Sequence, residues 1–447
     1  MSTSPSPTRS SQSTSATRRL LCIVLAGALL RLVAVLKPVD AGDLDRYEVL
    51  ARAMLAGRGY AFTAEEAAVY LGQAKATPVT ELPPGYAAVV AAHYVIWEDP
   101  RGLLISNWLM STLSILLLYG AVRPWGTKPA TIAAGLLACN PWVIRWTGHY
   151  FTETCGLFLM SASLWCLSRL DAQTRGWLWA FWLGVFSSGL VLTTPGVMFV
   201  TGGLLIYGMW QHRSRPVLIC AMLAGVAVCM GPWQVHCYRA TGHVVPTVLT
   251  PSRATNTVSY FHSWVNTWMA RASQIAVYWR PGPYMDEIPA DVFFDAAEKE
   301  TLRKAAQGFV DKQVSVDEYN ETFRHPYERR LAEVPAWRRN LLLPTLRGIT
   351  LWTEHQKLIW TSGWKATLVD GVFGLLNYFY LFCFTGFALA GLRRSPLLVL
   401  VVIGGTIGYT AVCGIWGATE YRRNYPLIPA LLFLAGPSMR VREGRRT

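Results

Sequence analysis

Apolar stretches of helical length alternate with short polar connections along most of the chain, and two of the polar connections are long. Residues 20–36 are apolar except for Arg31 and form the first candidate span. A polar loop over 37–84 follows. Residues 85–97 are apolar again, but at about 13 residues they fall short of the roughly 20 that an ordinary span needs. Pro83 and Pro84 stand directly before them, so the pattern predicts a half-embedded or kinked helix. A full span is expected over 102–122, then regular alternation with spans near 129–144, 153–168, 177–193, 196–211 and 216–234. After a second, much longer polar region, spans near 369–391, 395–414 and 425–438 close the chain. The expected architecture is an all-α polytopic membrane protein, a bundle of about 10–11 transmembrane helices with two large extracytoplasmic loops. In domain terms this gives a disordered cytoplasmic tail over 1–19, an N-terminal transmembrane module over 20–238 that includes the outer loop 37–85, a large helical loop over 239–368, C-terminal helices over 369–438 and a basic tail over 439–447.

Both loops have internal order. Asp43, Tyr47, Leu50, Ala51 and Leu55 recur at three- and four-residue steps, which predicts an amphipathic helix lying in the interface with Asp43 near its start. At that place Asp43 is either a helix cap or solvated charge, or part of a site held against the membrane. In the long loop, residues 286–337 carry helical charge patterning, with Glu300 and Lys304 four apart. That region reads as a small helical lid or platform, too long to be a bare connector. The tract 341–360 is amphipathic and is expected to lie along the membrane.

Composition agrees with this frame: the chain of 447 residues is 52% hydrophobic and 15% charged, with 19 Trp and 19 Tyr, the aromatics suiting membrane interfaces. The net charge of +14 would suit nucleic acid, but its distribution decides otherwise. Cations gather in the two tails and at the short connections Arg123/Lys128, Arg169/Arg175, Arg213/Arg215 and Arg393/Arg394, whereas most acids lie in the two long loops. That is a topology signal, placing the short connections in the cytoplasm and both loops outside. The nine Cys sit mostly inside apolar runs without CxxC spacing and read as small core residues. The eight His form no HExxH; His149 and His236, near membrane edges, are kept as candidate ligands.

The outer side therefore collects chemistry. Glu153 opens a span on the same side as Asp43; an acid there is either a helix-start charge facing headgroup water or a costly intramembrane carboxylate that needs a partner. Arg422 and Arg423, with Glu420, precede the last span on that side, against the positive-inside trend. A lipid phosphate fits the set. Its chains enter the bundle while a guanidinium meets its phosphate through bidentate donors. If that lipid carries a sugar, transfer needs one carboxylate to take the acceptor's proton; charge developing on the leaving phosphate is stabilised by Arg, Lys or a metal ion. The rival from another class is a transporter or flippase of a lipid-linked sugar intermediate, which should show paired repeats and broken helices at the membrane midplane.

The order of these features resembles the integral-membrane glycosyltransferases of the GT-C fold, in the branch of the protein O-mannosyltransferases and the aminoarabinose transferase of lipid A. The stretches GDLDRYEVLARAMLAGRGY, PPGY, HYFTETCGLFLM, GPWQVHCYRATGHVVPT and EYRRNYPLIPALLFLAG carry it, spread over about residues 20–438. The resemblance implies a GT-C-like bundle and an inverting transferase moving a single hexosyl or pentosyl unit from a polyprenyl-phosphate-linked donor to a glycan, lipid or protein acceptor on the extracytoplasmic side. Its implied base is Asp43, with Tyr47, Asp45, Glu153, Arg422, Arg423, Tyr86 and Lys75 binding donor or acceptor. No cofactor is demanded; should a divalent metal take part, Glu81, Glu153 and His149 are its candidate ligands. Partners are the donor, the acceptor and membrane lipids, with no nucleic acid, and the expected location is a bacterial inner membrane with the site facing outward. The chain departs from the family pattern in carrying Leu44 where mannosyltransferases have a second acid, Glu81-Leu82 and Thr194-Pro195 where relatives often have Arg, and His236-Cys237 in place of an Arg-Asn pair. No equivalent of the oligosaccharyltransferase WWDYG motif is present.

Overall fold

In the computed structural model, the residues described are 9–36, 44–71, 75–171, 175–244, 260–271, 274, 285–311, 313–353, 364–416 and 426–439. The first part of the chain runs through α1 (Arg9–Val35), α2 (Leu44–Leu55), α3 (Ala64–Leu71), α4 (Pro84–Ile96), α5 (Pro100–Val122), α6 (Thr127–Ala138), α7 (Pro141–Thr147), α8 (Thr152–Leu167), α9 (Gly176–Thr193), α10 (Met198–Gln211) and α11 (Pro216–Thr241). Between α2 and α4, β1 (Ala61–Phe62) and β2 (Thr77–Pro78) pair antiparallel with Ala61 opposite Pro78. The fold is otherwise helical.

Several helix starts are written in the sequence. Proline at the first helical position costs nothing, because its missing N–H would be unpaired there anyway; α4, α5, α7 and α11 all use it. Asp99 caps α5 by accepting from Arg101 N at 2.8 Å. Asn140 caps α7, accepting from Val143 N at 3.0 Å. That cap changes the expectation of one span over 129–144. Asn140 and Pro141 stop the run, and two short helices, α6 and α7, replace it.

Among the described residues, four helices are long and apolar enough to cross a membrane by length and composition, over Pro100–Trp125, Gly176–Thr193, Pro216–Thr241 and Gly374–Leu392, and three shorter apolar helices accompany them. Large aliphatic and aromatic side chains on their outer faces stay uncovered, among them Phe382, Leu400, Ile407 and Val228, as a lipid-facing surface requires. The chain is a multi-pass membrane protein. Helices pack closely where a side chain is absent: a Cβ on Gly184 of α9 would strike the Met222 carbonyl of α11, and one on Gly225 of α11 would strike the Phe181 carbonyl. Small residues let helix backbones approach in just this way.

The second part comprises α12 (Tyr260–Asn266), α13 (Ala296–Val310), α14 (Val316–Thr322), α15 (Arg324–Glu333), α16 (Leu343–Thr353), α17 (Trp364–Leu392), α18 (Pro396–Trp416), α19 (Ile428–Phe433) and α20 (Ala435–Met439). The long loop builds its own aromatic core from Phe261, Trp264, Trp268, Phe293, Tyr319 and Phe323. Asp295 caps α13 through Glu298 N at 2.7 Å. The buried guanidinium of Arg347 on α16 donates to Met269 O at 2.9 Å, tying that helix to the chain just after α12. Trp352 Nε1 in turn donates to Thr410 Oγ1 of α18 at 2.9 Å, so the loop rests on the membrane bundle.

Candidate active site

α2 has the face the periodicity predicts. Leu44, Tyr47, Leu50 and Ala51 are buried, while Asp45 and Arg46 are exposed. Glu48 and Arg52 pair one turn apart at 2.9 Å, and the Arg52 guanidinium lies 4.8 Å above the Tyr94 ring of α4. One turn earlier the Tyr47 ring meets Tyr86 edge-on, with centroids 5.1 Å apart. Gly85 lets α4 sit against the end of α9, since a Cβ there would run into Leu192 and Thr193.

The loop before α4 is held from the side. Tyr60 OH donates to Pro83 O at 3.3 Å. His236 of α11, stacked on Trp233 at 5.3 Å, meets Val79 O through Nε2 at 3.0 Å. A carbonyl only accepts, so that nitrogen carries the proton and is not a free metal ligand. Glu81 sits half-buried on this strap. Burial pushes its carboxyl above the usual carboxylate range, and the Arg46 guanidinium opposes that shift. Lys75, at the far side of the strap, is exposed.

Glu153 lies in the first turn of α8 and is only 5% exposed, which removes the reading of a charge facing headgroup water. The helix N-terminus favours a carboxylate there, and Thr152 Oγ1 donates to it at 3.4 Å. Tyr86 is fully buried, beside Asn107 and within electrostatic reach of Glu153, Cys155 and Tyr47. The Tyr86 hydroxyl and Asn107 are buried as hydrogen-bonding neighbours.

The turn carrying Glu153 is fixed by its neighbours. Asn107 Nδ2 donates to His149 O at 2.9 Å, and Gly148 lies so close to the Ala34 carbonyl of α1 that no side chain fits between them. His149 itself stacks on Phe151, with centroids 5.6 Å apart, and packs against Trp146. Three residues after Glu153, Gly156 faces the C-terminal segment: a Cβ there would sit 2.9 Å from Pro426 Cγ and 3.3 Å from Thr194 Oγ1.

Of the residues singled out from sequence, Tyr47, Tyr86 and Glu153 therefore come together, Glu81 and Asp45 stand at the edge of the same region, and Lys75 is turned to solvent. Asp43, Glu420, Arg422 and Arg423 lie outside the described residues. Among the described residues no group of three or more His, Cys, Asp or Glu is arranged to hold a metal ion. Asn107 was missed by sequence reasoning. Its signal was present, because Asn107, Ser111 and Ser114 put polar groups at helical spacing inside an apolar run.

No curated protein matches the chain. Among solved structures, ArnT from Cupriavidus metallidurans in the apo state is similar at 14% identity and a TM-score of 0.41, covering 95% of this chain and 78% of that one. The same protein bound to undecaprenyl phosphate gives 14% identity, a TM-score of 0.42 and coverage of 94% and 77%. The archaeal oligosaccharyltransferase AglB from Archaeoglobus fulgidus, in complex with an inhibitory peptide and a dolichol-phosphate, gives 12% identity, a TM-score of 0.43 and coverage of 95% and 50%. Residues 81–235, the strap and helices that carry Glu81, Tyr86, Asn107 and Glu153, match the model of the dolichyl-phosphate-mannose-protein mannosyltransferase family.

Proposed function

We propose that this protein is an inverting membrane glycosyltransferase that moves one sugar from a polyprenyl-phosphate donor to a glycan, lipid or protein acceptor at the outer face of a bacterial inner membrane. The acceptor hydroxyl gives its proton to the Asp43 carboxylate while its oxygen bonds to the anomeric carbon. The bond from that carbon to the phosphate oxygen breaks, and the electron pair leaves with the polyprenyl phosphate. Arg422 and Arg423 take up the charge on that phosphate. Glu153, Tyr86 and Tyr47 orient the reacting groups, and Asp45 and Lys75 bind donor at the rim.

The observation that carries this reading is the junction at the first turns of α8. Glu153 is buried beside Tyr86, Tyr86 meets Tyr47, and Pro426 lies against Gly156. Asp43 is bonded to Leu44, a buried member of the same apolar cluster. Arg422 is four residues from Pro426, a span of at most about 15 Å between Cα atoms. The family matched over residues 81–235 is named for a donor of the same class.

Replacing Asp43 by Asn tests it directly. We expect sugar transfer to fall by about 10²- to 10⁴-fold, the usual worth of a positioned base, while the purified variant keeps its affinity for undecaprenyl phosphate. Wild-type turnover in Asp43→Asn would remove the base from the mechanism.

A further inference from the structure

Arg31 is the one charge in the apolar part of α1, and it is 0% exposed. A guanidinium inside a membrane bundle is costly unless its donors are satisfied. Here Nε donates to Ser111 Oγ at 2.7 Å, Nη1 to Gly27 O at 3.0 Å and Ala138 O at 2.9 Å, and Nη2 to Leu137 O at 2.9 Å. Among the described residues no carboxylate pairs with it. Its principal partners are instead carbonyls in the last turn of α6, beyond the regular helical ladder and at the negative end of that helix; Leu137 O also accepts from Asn140 N at 3.4 Å.

Just beyond those carbonyls the chain turns back toward the site. Asn140 caps α7, Thr147 Oγ1 at the end of α7 donates to Ser111 Oγ at 3.0 Å, Gly148 abuts Ala34 one turn beyond Arg31, and His149 O is held by Asn107. Ser111 thus receives Arg31 from one side and Thr147 from the other. Glu153 comes four residues after His149. The connection from α6 to α8 is stitched to α1 and α5, with the buried guanidinium on the last carbonyls of α6.

We propose that Arg31 is a positioning residue for Glu153: a cation seated on the end of α6 that fixes the α6–α7–α8 connection and so the place of the carboxylate, in the role that the glycosyltransferase reading gives Glu153. A merely stabilising core cation would make the same hydrogen bonds, so the test separates the two.

The full-length protein in nanodiscs is compared with Arg31→Lys, which keeps charge but not the forked donors, and Ser111→Ala, which cuts the bridge to α7 while leaving the carbonyl bonds. Arg31→Met is included, and the other two variants decide if it fails to fold. Amide hydrogen exchange across residues 139–153 is expected to quicken by about tenfold or more, with α9 and α11 unchanged. The rate of sugar transfer is expected to drop by about tenfold in the Glu153 background and by less than about twofold when Glu153→Gln is already present, the signature of coupled residues. Uniform acceleration across the bundle, or equal losses in both backgrounds, overturns the proposal. If the native protein shows no affinity for undecaprenyl phosphate, the lipid-phosphate reading falls, and localisation of the exchange change alone then decides whether Arg31 positions this turn.

Discussion

At Glu81 two forces oppose each other on one carboxyl. Burial disfavours the charged form and Arg46 favours it, and burial is the larger cause, so the group titrates above its ordinary range. For an acid whose folded value is raised, the folded state binds its proton more tightly than the unfolded state. The associated stability is therefore present at low pH and lost as pH rises through the folded value. Glu81→Gln is expected to raise the melting temperature near pH 7–8 and to lose that advantage in acid below the ordinary carboxylate range, as thermal melts across pH would record. An unchanged difference at every pH would mean that packing, not charge, governs the site. Glu153 shows what a single residue hides from its sequence. Its position at the start of a helix was legible, but its burial was not, because the helices that pack on α8, such as α5, α9 and α19, come from other parts of the chain. The same holds for Arg31, whose interruption of an apolar run was visible while its four acceptors, on α1, α5 and α6, were not.

Among the elements, those with prolines and caps were the most legible. Pro83 and Pro84 announce the beginning of α4, and the observed helix Pro84–Ile96 is as short as its apolar run. The break at Asn140 escaped the hydropathy pattern because the residues on either side of it are equally apolar, and only the cap chemistry separates α6 from α7. Of residues 341–360, expected to lie along the membrane, 354–360 lie outside the described residues; α16 buries Leu343, Pro344, Arg347, Gly348 and Leu351, and Trp352 bonds to Thr410 of α18. The most consequential contact between elements is that of α8 with the segment entering α19. Gly156→Ala would add a methyl where Pro426 already sits, with an expected cost of about 1–3 kcal/mol for the forced shift. Thermal unfolding measures that cost, and a transfer assay should show a larger proportional loss than the melting change predicts, because the displaced segment is the one that follows Arg422 and Arg423. Transfer at the native rate in Gly156→Ala would show that the exact seat of Pro426 is unimportant to the site.

For the whole molecule, two apolar environments of different kinds are joined. The bundle leaves its outer apolar side chains uncovered for lipid, whereas the long loop encloses its aromatics in a core of its own, with Trp264 at its centre. Trp264→Ala should cost that core about 3–5 kcal/mol. Limited proteolysis is expected to open sites within 260–333 while a fragment spanning α4 to α11 persists; simultaneous loss of both would show that the two cores fold as a single unit. One tie within the first part of the chain reaches farther than its size suggests. His236 lies near the end of α11, directly before the chain departs for the long loop, and it grips the peptide at Val79 that runs on to Glu81 and the head of α4. A twist of α11 would drag that peptide sideways, and with it the approach to Glu81 and the head of α4, so the imidazole works as a linkage rod between the two.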